Sequence, residues 1–220
     1  MLKKLLFYFN SILTLLLPKQ CFGCSAFIEG FFCENCYFFI RPSFQVSTLF
    51  SNKHYFFVEY NSVVKDVFHY IKFSDQQILV AYLANLLSTV KLNNFDYDFW
   101  VPVPYHRKRL KKRGYHLIDQ LFESFFIKHD IPKLDLLERI YYTDHLFDKS
   151  IEERESILAG VFSFKIEPYM IKQKKILVVD DIVTTGTTMN ECLRLLSNMD
   201  VSKISVLSFA KVLIDHDKVT

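Results

Sequence analysis

Two adjacent carboxylates, followed by a run of small hydroxyl residues, lie in the C-terminal part of the chain. Asp180 and Asp181 come directly after the apolar run 176–179, and the segment 184–188 reads Thr-Thr-Gly-Thr-Thr. Carboxylate oxygens accept hydrogen bonds from sugar hydroxyls, and a turn that opens a helix offers unpaired amide N–H groups to a phosphate. The spacing therefore predicts a site for a ribose 5-phosphate group. The alternative is a structural turn with solvated aspartates.

The same segment predicts the elements that position this site. Residues 176–179 and 182–183 are β-branched or aliphatic, as is typical of a central parallel strand covered on both faces. Because an unpaired buried carboxylate is costly, we expect the two aspartates at the carboxyl end of this strand, where open α/β sheets bind ligands. A helix should follow the turn, with apolar residues at helical spacing: Met189, Cys192, Leu195, Leu196 and Met199.

Residues 176–188 resemble the phosphoribosyl pyrophosphate (PRPP) motif of type I phosphoribosyltransferases: four apolar residues, two acidic, two apolar, then a Thr/Gly-rich loop. The resemblance implies that Asp180 and Asp181 hold the ribose 2′- and 3′-hydroxyls. It also implies a 5′-phosphate site formed by Thr184, Thr185, Gly186, Thr187 and Thr188. Mg²⁺ would be carried by the PRPP itself, because this ion prefers phosphate oxygens and keeps several waters.

Four cysteines near the start of the chain form two C-x-x-C pairs: Cys21, Cys24, Cys33 and Cys36. Two such pairs can present four thiolates to one tetrahedral metal ion, and zinc is the expected ion. A rubredoxin-like iron site uses the same ligands. Two disulfides are the third interpretation, and they would require an oxidising compartment.

The segment before the cysteines superficially resembles a signal peptide. Lys3 and Lys4 precede an apolar stretch over 5–17, but polar residues interrupt the stretch and no small-x-small cleavage site follows it. The stretch is also too short to span a bilayer. We predict an apolar helix over 1–18 that packs on the cysteine module or, alternatively, lies on a partner or on the membrane, and we predict a cytoplasmic protein.

Length and composition fit one compact unit with a small appendage. The chain has 220 residues, of which 50% are hydrophobic, and a formal net charge of +3. Its charge is too small for global attraction to nucleic acid, so any such surface must be local. We therefore predict three parts: the apolar helix 1–18, a Cys₄ zinc-binding module over 19–40 (the cysteine module) and a phosphoribosyltransferase-like domain over 41–220.

A basic segment follows a predicted strand over 95–103. Six of the seven residues over 107–113 are Lys or Arg, a density that repels itself unless an anion lies nearby. Because guanidinium groups suit phosphate oxygens, we predict a pyrophosphate-binding loop formed by Tyr105, His106, Arg107, Arg109 and Arg113. An adjoining nucleic-acid surface would use Arg107, Lys108, Lys111, Lys112 and Tyr115, with the tyrosine ring stacking on bases. The alternative is a solvated basic start of a helix.

The remaining segments alternate between strand and helix patterns. We predict strands over 54–60, 136–142, 161–164 and 204–210, and helices over 63–71, 76–90 and from 104 to 126. In the first of these helices Lys65, Asp66, His69 and Lys72 are expected to point outward. This order predicts an α/β fold of type I phosphoribosyltransferase-like topology, with a mainly parallel sheet and helices on both faces.

Taken in order, the cysteine pairs, Pro-Val-Pro-Tyr-His (102–106), Arg-Gly-Tyr (113–115) and the PRPP motif resemble the ComF (ComFC) family of competence-associated phosphoribosyltransferase-like proteins. Weaker points of resemblance are the segment 70–73 and the residues Arg139, Thr143, Arg154 and Phe162. Two departures concern acceptor binding. The family's Arg-Gly-Phe-Asn-Gln is Arg-Gly-Tyr-His-Leu at 113–117, and an asparagine expected after Arg154 is Ile157.

The ComF resemblance implies a cytoplasmic protein of natural transformation. It would act on incoming single-stranded DNA with the competence helicase and the membrane DNA-uptake machinery, either free in the cytoplasm or at the inner face of the membrane. The alternative is a salvage-type phosphoribosyltransferase that transfers ribose 5-phosphate from PRPP to a nucleobase. In that reaction Mg²⁺ and Arg107, Arg109 or Arg113 would stabilise the departing pyrophosphate. A salvage enzyme needs neither the cysteine module nor the apolar helix, so the first interpretation is favoured.

Overall fold

The computed structural model describes residues 20–74, 76–92, 95–141 and 160–213, without the side chains of Arg109 and Lys112. The predicted helix 1–18 therefore lies outside the described residues, as do Thr143, Arg154 and Ile157. Within the described ranges no helix has the length and apolar character needed to cross a membrane.

Helices and strands are interspersed along the chain, as the sequence pattern predicts. In order they are α1 (Glu34–Ile40), β1 (Gln45–Leu49), β2 (Asn52–Glu59), α2 (Ser62–Phe73), α3 (Gln77–Thr89), β3 (Phe99–Pro102), α4 (Arg107–Arg113), α5 (Leu117–Lys128), β4 (Leu137–Arg139), β5 (Phe162–Phe164), β6 (Lys175–Val183), α6 (Thr187–Ser197) and β7 (Lys203–Lys211). A 3₁₀ turn over Pro168–Ile171 precedes β6.

Five of the strands form one mainly parallel sheet in the order β1-β2-β7-β6-β3. The strands β2, β7, β6 and β3 are parallel to their neighbours, and β1 pairs antiparallel with β2 at the edge. The apolar run 176–179 is fully buried in β6, between β7 and β3. The predicted mainly parallel sheet is therefore confirmed. The edge strand β1 was not predicted, because its exposed and half-buried residues alternate and form no apolar run.

Four predicted elements differ from the structure. The segments around 137–139 and 162–164 pair only with each other, in a separate two-stranded antiparallel sheet. The predicted strand 95–103 is confined to Phe99–Pro102. The predicted helix from 104 to 126 is broken at Gly114, which has φ +80° and caps the end of α4 through its N–H bond to Leu110. A left-handed conformation favours glycine, so this residue ends the helix.

Helix α2 crosses the carboxyl edge of the sheet. It begins beyond the end of β2, Phe68 packs on Phe209 of β7 with ring centroids 5.4 Å apart, and Lys72 reaches Asp181 of β6. Its buried face consists of Val63, Val64, Val67, Phe68 and Ile71, as the sequence predicts. This path brings the last turn of α2 to the place where the aspartate pair ends its strand.

Candidate ligand-binding site and metal centre

A cavity of about 710 Å³ opens at the carboxyl edge of the sheet. The wall contributed by β6 and the start of α6 contains all seven residues predicted for ribose 5-phosphate: Asp180, Asp181, Thr184, Thr185, Gly186, Thr187 and Thr188. The segment 103–105, Arg139 and α2 supply further walls. Carboxylates and a helix-opening loop thus face one space that is large enough for a sugar phosphate.

The loop 184–188 has the backbone geometry of an anion site. Gly186 has φ +79° directly before α6, and a Cβ at this position would lie 2.9 Å from the Phe50 ring. Only glycine fits such a conformation without strain. The hydroxyls of Thr185 and Thr187 lie 2.9 Å apart. Because the first amides of a helix have no partner within the helix, those of α6 can donate to a phosphate placed in the cavity.

Asp181 is almost fully buried, and described partners engage both of its carboxylate oxygens. Its Oδ1 accepts the N–H of Ile182 at 2.7 Å. Its Oδ2 lies 2.8 Å from Lys72 Nζ and accepts the Tyr105 hydroxyl at 3.0 Å. Burial alone would raise the pKa of Asp181, but the Lys72 ammonium outweighs it and holds this pKa below its usual range. Asp181 is therefore an ionised carboxylate fixed in place.

Asp180 has the opposite electrostatic environment. Its Oδ1 accepts the N–H of Asp181 at 2.8 Å, and no cation among the described residues forms an ion pair with it. Burial, reinforced by the neighbouring Asp181 charge, raises the pKa of Asp180 to about 8. Its carboxyl group therefore exchanges a proton near neutral pH, whereas that of Asp181 does not. Such a separation of two adjacent carboxyls is typical of functional sites.

Lys72 was expected to point outward, and that expectation is wrong. Its side chain is only 25% exposed and forms the ion pair with Asp181. Helical periodicity separates a buried face from the remaining faces, but it cannot distinguish a solvent face from a cavity face. The only sequence signal was the ComF-like segment 70–73, which contains this lysine.

The residues predicted to bind pyrophosphate are only partly brought together. Tyr105 lines the cavity, and burial together with the Asp181 and Asp180 charges keeps its pKa well above the usual range. His106 caps α4 by accepting the N–H of Lys108. Arg107 is 86% exposed and lies 3.8 Å from Glu138, while Arg113 lies over the Tyr105 ring at 5.5 Å. The side chain of Arg109 is outside the described residues.

Another arginine lines the cavity among the described residues. Arg139, at the end of β4, faces the same space as the aspartate pair. The sequence marked it only as a weak point of resemblance, because its position depends on the pairing of β4 with β5.

The predicted nucleic-acid surface needs one correction. Arg107, Lys108 and Lys111 are exposed on α4, and the side chain of Lys112 is outside the described residues. Tyr115, however, is only 8% exposed and packs in the core, with its hydroxyl 3.5 Å from the Ile71 carbonyl oxygen. A buried ring has no face to offer to a base. Tyr115 is therefore a core residue, and the exposed part of this surface is cationic.

The four N-terminal cysteines converge on one point. Their Sγ atoms all lie within 4.8 Å of one another, with Cys21–Cys33 at 3.8 Å and Cys24–Cys33 at 3.7 Å. A regular tetrahedron with Zn–S bonds of about 2.3 Å has an edge of about 3.8 Å, whereas a disulfide bond is about 2.05 Å long. All five described cysteines are free thiols in the structure. The cluster can therefore hold a metal ion such as zinc, and paired disulfides do not fit these distances.

The backbone around the cluster favours a thiolate at Cys21. The N–H groups of Gly23 and Cys33 both point to Cys21 Sγ at 3.4 Å. Burial raises the pKa of Cys21, but these amides and that of Cys24 outweigh it and lower the pKa to about 6. A Cβ on Gly23 would lie 2.8 Å from Cys36 Sγ and 2.9 Å from Val63 of α2. The first cysteine turn is thus packed tightly against the second and against α2.

Comparison with known proteins places the C-terminal half of the chain in a defined family. The family model described as phosphoribosyl transferase domain matches residues 110–218. Competence protein F of Haemophilus influenzae is 31% identical over 112 residues, which are 50% of this chain and 49% of that protein. Competence protein ComFC of Streptococcus pneumoniae is 28% identical over 179 residues, 81% of this chain and 74% of that protein. The chain thus spans about half the length of the Haemophilus relative.

Solved structures give weaker likenesses. Glutamine PRPP amidotransferase from B. subtilis is 18% identical with a TM-score of 0.42, over 64% of this chain and 30% of that chain. A hypoxanthine phosphoribosyltransferase from Staphylococcus aureus is 17% identical with a TM-score of 0.34, over 64% of this chain and 74% of that chain. The fold assignment rests on the family model and the strand order, which together establish the predicted type I phosphoribosyltransferase-like sheet.

Proposed function

Because the chain belongs to the ComF family of competence-associated, phosphoribosyltransferase-like proteins, we propose that it binds PRPP and handles incoming single-stranded DNA in natural transformation. The observation that carries the PRPP proposal is the cavity at the carboxyl edge. It is lined both by the aspartate pair and by the glycine-containing loop that opens α6. Few ligands other than a sugar phosphate combine vicinal hydroxyls with a terminal phosphate.

The binding mode follows from the two electrostatic environments. Asp181 already accepts hydrogen bonds from Lys72 and Tyr105. The ribose hydroxyls therefore donate to Asp180, whose carboxylate has more lone pairs available. The 5′-phosphate accepts hydrogen bonds from the first-turn amides of α6 and from the hydroxyls of Thr185 and Thr187. Mg²⁺ would be carried by the ligand's pyrophosphate and would offset part of the ligand's negative charge. Tyr105 and Arg139, which line the cavity, would contact the pyrophosphate.

The DNA-handling part of the proposal is supported by α4 and by the names of the two relatives. The exposed cations Arg107, Lys108 and Lys111 lie on one short helix directly after the cavity segment 103–105. Such a cluster attracts the sugar-phosphate backbone without reading sequence. The competence helicase and the membrane uptake machinery are the partners that this role would require.

Zinc is the ion we assign to the cysteine cluster. Four thiolates at tetrahedral distances, with amide N–H groups directed at sulfur, are the donor set of a closed structural zinc site. Its function would be structural: it would join the two cysteine turns to each other.

The direct test is calorimetric titration of the purified protein with Mg²⁺-PRPP, followed by turnover assays with a panel of nucleobases. Binding without turnover supports a protein that senses or carries the ligand during DNA uptake. Release of pyrophosphate upon addition of a base would instead establish the salvage-type alternative. Absence of binding would reject the assigned site.

The pH dependence of ligand binding is a first expected outcome. Asp180, with its pKa of about 8, is mainly protonated in the empty site at pH 7, and an ionised carboxylate accepts hydroxyl bonds more strongly. The affinity for ribose 5-phosphate should therefore rise between pH 7 and pH 9, with release of a proton on binding measurable by calorimetry in two buffers. The ligand's phosphate titrates near pH 6 and does not interfere. Affinity that is constant over this range would contradict the assignment.

The salt dependence of DNA binding is a second expected outcome. Engagement of about four phosphates predicts a log–log salt slope near −3 for single-stranded DNA, from roughly −0.7 per contact. Replacing Arg107, Lys108, Lys111 and Lys112 by Ala should flatten this slope in an anisotropy titration, with zinc content unchanged. The exposed Lys172→Ala is the control and should retain the slope. If the quadruple variant binds DNA as the wild type does across the salt series, the DNA contact does not lie on α4.

A further inference from the structure

The turn between β1 and β2 has a strained backbone. Its two central residues, Phe50 and Ser51, have φ angles of +47° and +64°. Hairpin turns with positive φ at both central positions are adopted most readily by Asn-Gly, because a side chain in the left-handed region is strained and a bulky one more so. The Asn52 side chain donates to the Phe50 carbonyl oxygen at 2.8 Å and supports this turn. The chain therefore has a phenylalanine where asparagine or glycine would be less strained.

Burial in the core does not account for Phe50. Its side chain is 45% exposed and lies outside the hydrophobic core, against which the neighbouring Leu49 packs. Its ring lies instead against the loop 184–188, since a Cβ on Gly186 would be 2.9 Å from this ring and 3.0 Å from the Leu49 side chain. Gly186 lines the cavity, whereas Phe50 does not. The tip of the hairpin therefore contacts Gly186 from outside the cavity.

The hairpin is attached near the base of the same loop as well. Lys211, at the end of β7, donates from Nζ to the Ser47 hydroxyl of β1 at 2.9 Å. Lys211 also lies beside Val183, the last residue of β6 before the loop, in the parallel pairing of the two strands. The hairpin thus contacts both the strand end from which the loop starts and the glycine at which α6 begins.

The conformation of Gly186 determines where the first amides of α6 point. Its carbonyl oxygen accepts the N–H of Asn190 at 2.7 Å, which is the first hydrogen bond of the helix. The amides that follow Gly186 have no partner within the helix and are the donors available to a phosphate. Because glycine has the greatest backbone freedom of any residue, its left-handed conformation needs support from its surroundings. Among the described residues, Leu49 and Phe50 provide this contact.

We propose that Phe50 is a positioning residue for the loop 184–188. Its ring holds Gly186 in the left-handed conformation, so that the first amides of α6 are already oriented when a phosphate enters the cavity. The contact accounts for the strain in the β1–β2 turn, since strained residues persist where the surrounding structure requires them. This inference rests on the proposed phosphate site, and it names a residue outside the cavity on which the phosphate affinity depends.

The first measurement compares affinity with stability in the full-length variant Phe50→Asn. Asparagine adopts the left-handed conformation readily, so the turn keeps its shape while the ring is lost. The affinity for ribose 5-phosphate, measured by calorimetry, should fall about tenfold, as expected when one charge-assisted hydrogen bond is misaligned. The melting temperature should equal or exceed that of the wild type, because relief of strain offsets the lost contact. Phe50→Leu keeps an apolar contact and should lose less affinity.

The second measurement needs no ligand. Hydrogen exchange of the Asn190 N–H reports the first hydrogen bond of α6 and should be about tenfold faster in Phe50→Asn than in the wild type. Two matched controls should retain the wild-type exchange rate and the wild-type affinity. Ser51→Gly relieves strain in the same turn but keeps the ring, and Val46→Asn removes an apolar side chain that is 57% exposed on β1.

The outcomes separate this inference from the proposed function. If Phe50→Asn matches Ser51→Gly in both affinity and Asn190 exchange, Phe50 is only a turn residue and the inference is overturned. If the melting temperature of Phe50→Asn falls together with its affinity, the contact is a general structural one and the inference is likewise overturned. Failure of ribose 5-phosphate and Mg²⁺-PRPP to bind the wild-type chain rejects the proposed function. The exchange measurement then still decides whether Phe50 holds Gly186 in place.

Discussion

Asp180→Asn is expected to weaken binding of Mg²⁺-PRPP by about a hundredfold while leaving the protein folded. In the proposed binding mode the Asp180 carboxylate accepts charge-assisted hydrogen bonds from the ribose hydroxyls, each worth about 1.5–3 kcal/mol, and an amide has only one oxygen and no charge to replace them. Titration calorimetry at pH 8 measures the change. Ribose 5-phosphate should lose affinity by a similar factor, because the proposed contacts of this residue are with the ribose hydroxyls and not with the pyrophosphate.

The same variant should be more stable than the wild type in alkaline solution. Asp180 has a raised pKa in the folded chain, so between about pH 4 and pH 8 the native state binds a proton that the unfolded state does not. Stability contributed by this group therefore falls as pH rises through that window. The neutral amide of the variant does not titrate, so its melting temperature should exceed that of the wild type at pH 8, with the difference shrinking toward pH 4.

Substitution of Asp181 should have the opposite effect on stability, so it cannot serve as a clean test of PRPP binding. Its substitution would leave the partly buried Lys72 ammonium without its counter-ion, which destabilises a folded protein strongly. We therefore expect Asp181→Asn to lower the melting temperature, and a double variant would combine both effects. Asp96→Asn is the matched control. Asp96 is 75% exposed and pairs with Lys175, which lies at the start of β6, at the other end of the strand from Asp180. Unchanged PRPP affinity in Asp180→Asn would contradict the assigned ribose contact.

The parts of the site that were predictable from the sequence are those fixed by local chain order. The run 176–188 contains its own strand, carboxylates, turn and helix start, so neighbouring residues determine the geometry. The same holds for the cysteine pairs, whose spacing alone brings four sulfurs together. The mainly parallel sheet followed from the alternation of strands and helices.

The features that sequence reasoning missed depend on long-range packing. Tyr115 resembles a surface aromatic within a basic segment, but its burial depends on contact with α2, which is distant in the chain. The ion pair of Lys72 joins α2 to β6. The strands β4 and β5 pair only with each other, and no local pattern distinguishes such a pair from members of the main sheet. Secondary-structure propensity depends on the residues of one segment, whereas these contacts each depend on two segments that are distant in the sequence.

Helix α2 connects the cysteine module to the cavity. At its start, Val63 packs against the first cysteine turn and the Asn61 side chain donates to the Phe39 carbonyl oxygen of α1. Near its end, Tyr70 meets the Phe22 ring edge-on at 5.5 Å, two residues before Lys72. Loss of the packing in the cysteine module should therefore shift α2 and, through it, disturb the aspartate pair. It should also expose the core around Cys21 and Cys36.

Cys33→Ser is consequently expected to have the largest effect of any single substitution in the chain. Cys33 lies at the start of α1, its sulfur is 3.8 Å from that of Cys21, and its loss removes one of the four ligands proposed for the metal. Structural zinc sites supply apparent binding free energies of about 10–16 kcal/mol, which is comparable with the whole stability of a typical domain, about 5–15 kcal/mol. We expect about one zinc per wild-type chain by elemental analysis, and loss of both metal and soluble protein in the variant.

Cys192→Ala is the control that separates metal binding from the loss of a thiol. Cys192 is fully buried on α6 and does not belong to the cluster, so this variant should keep one zinc per chain and remain soluble. Removal of the metal from the wild-type protein with a chelator should lower the melting temperature and also weaken PRPP binding, because α2 contacts both the cysteine module and the cavity. Iron in the purified protein would instead support the rubredoxin-like site. A folded, metal-free chain whose four cluster thiols all react with a thiol reagent would show that packing alone holds the two cysteine turns in place.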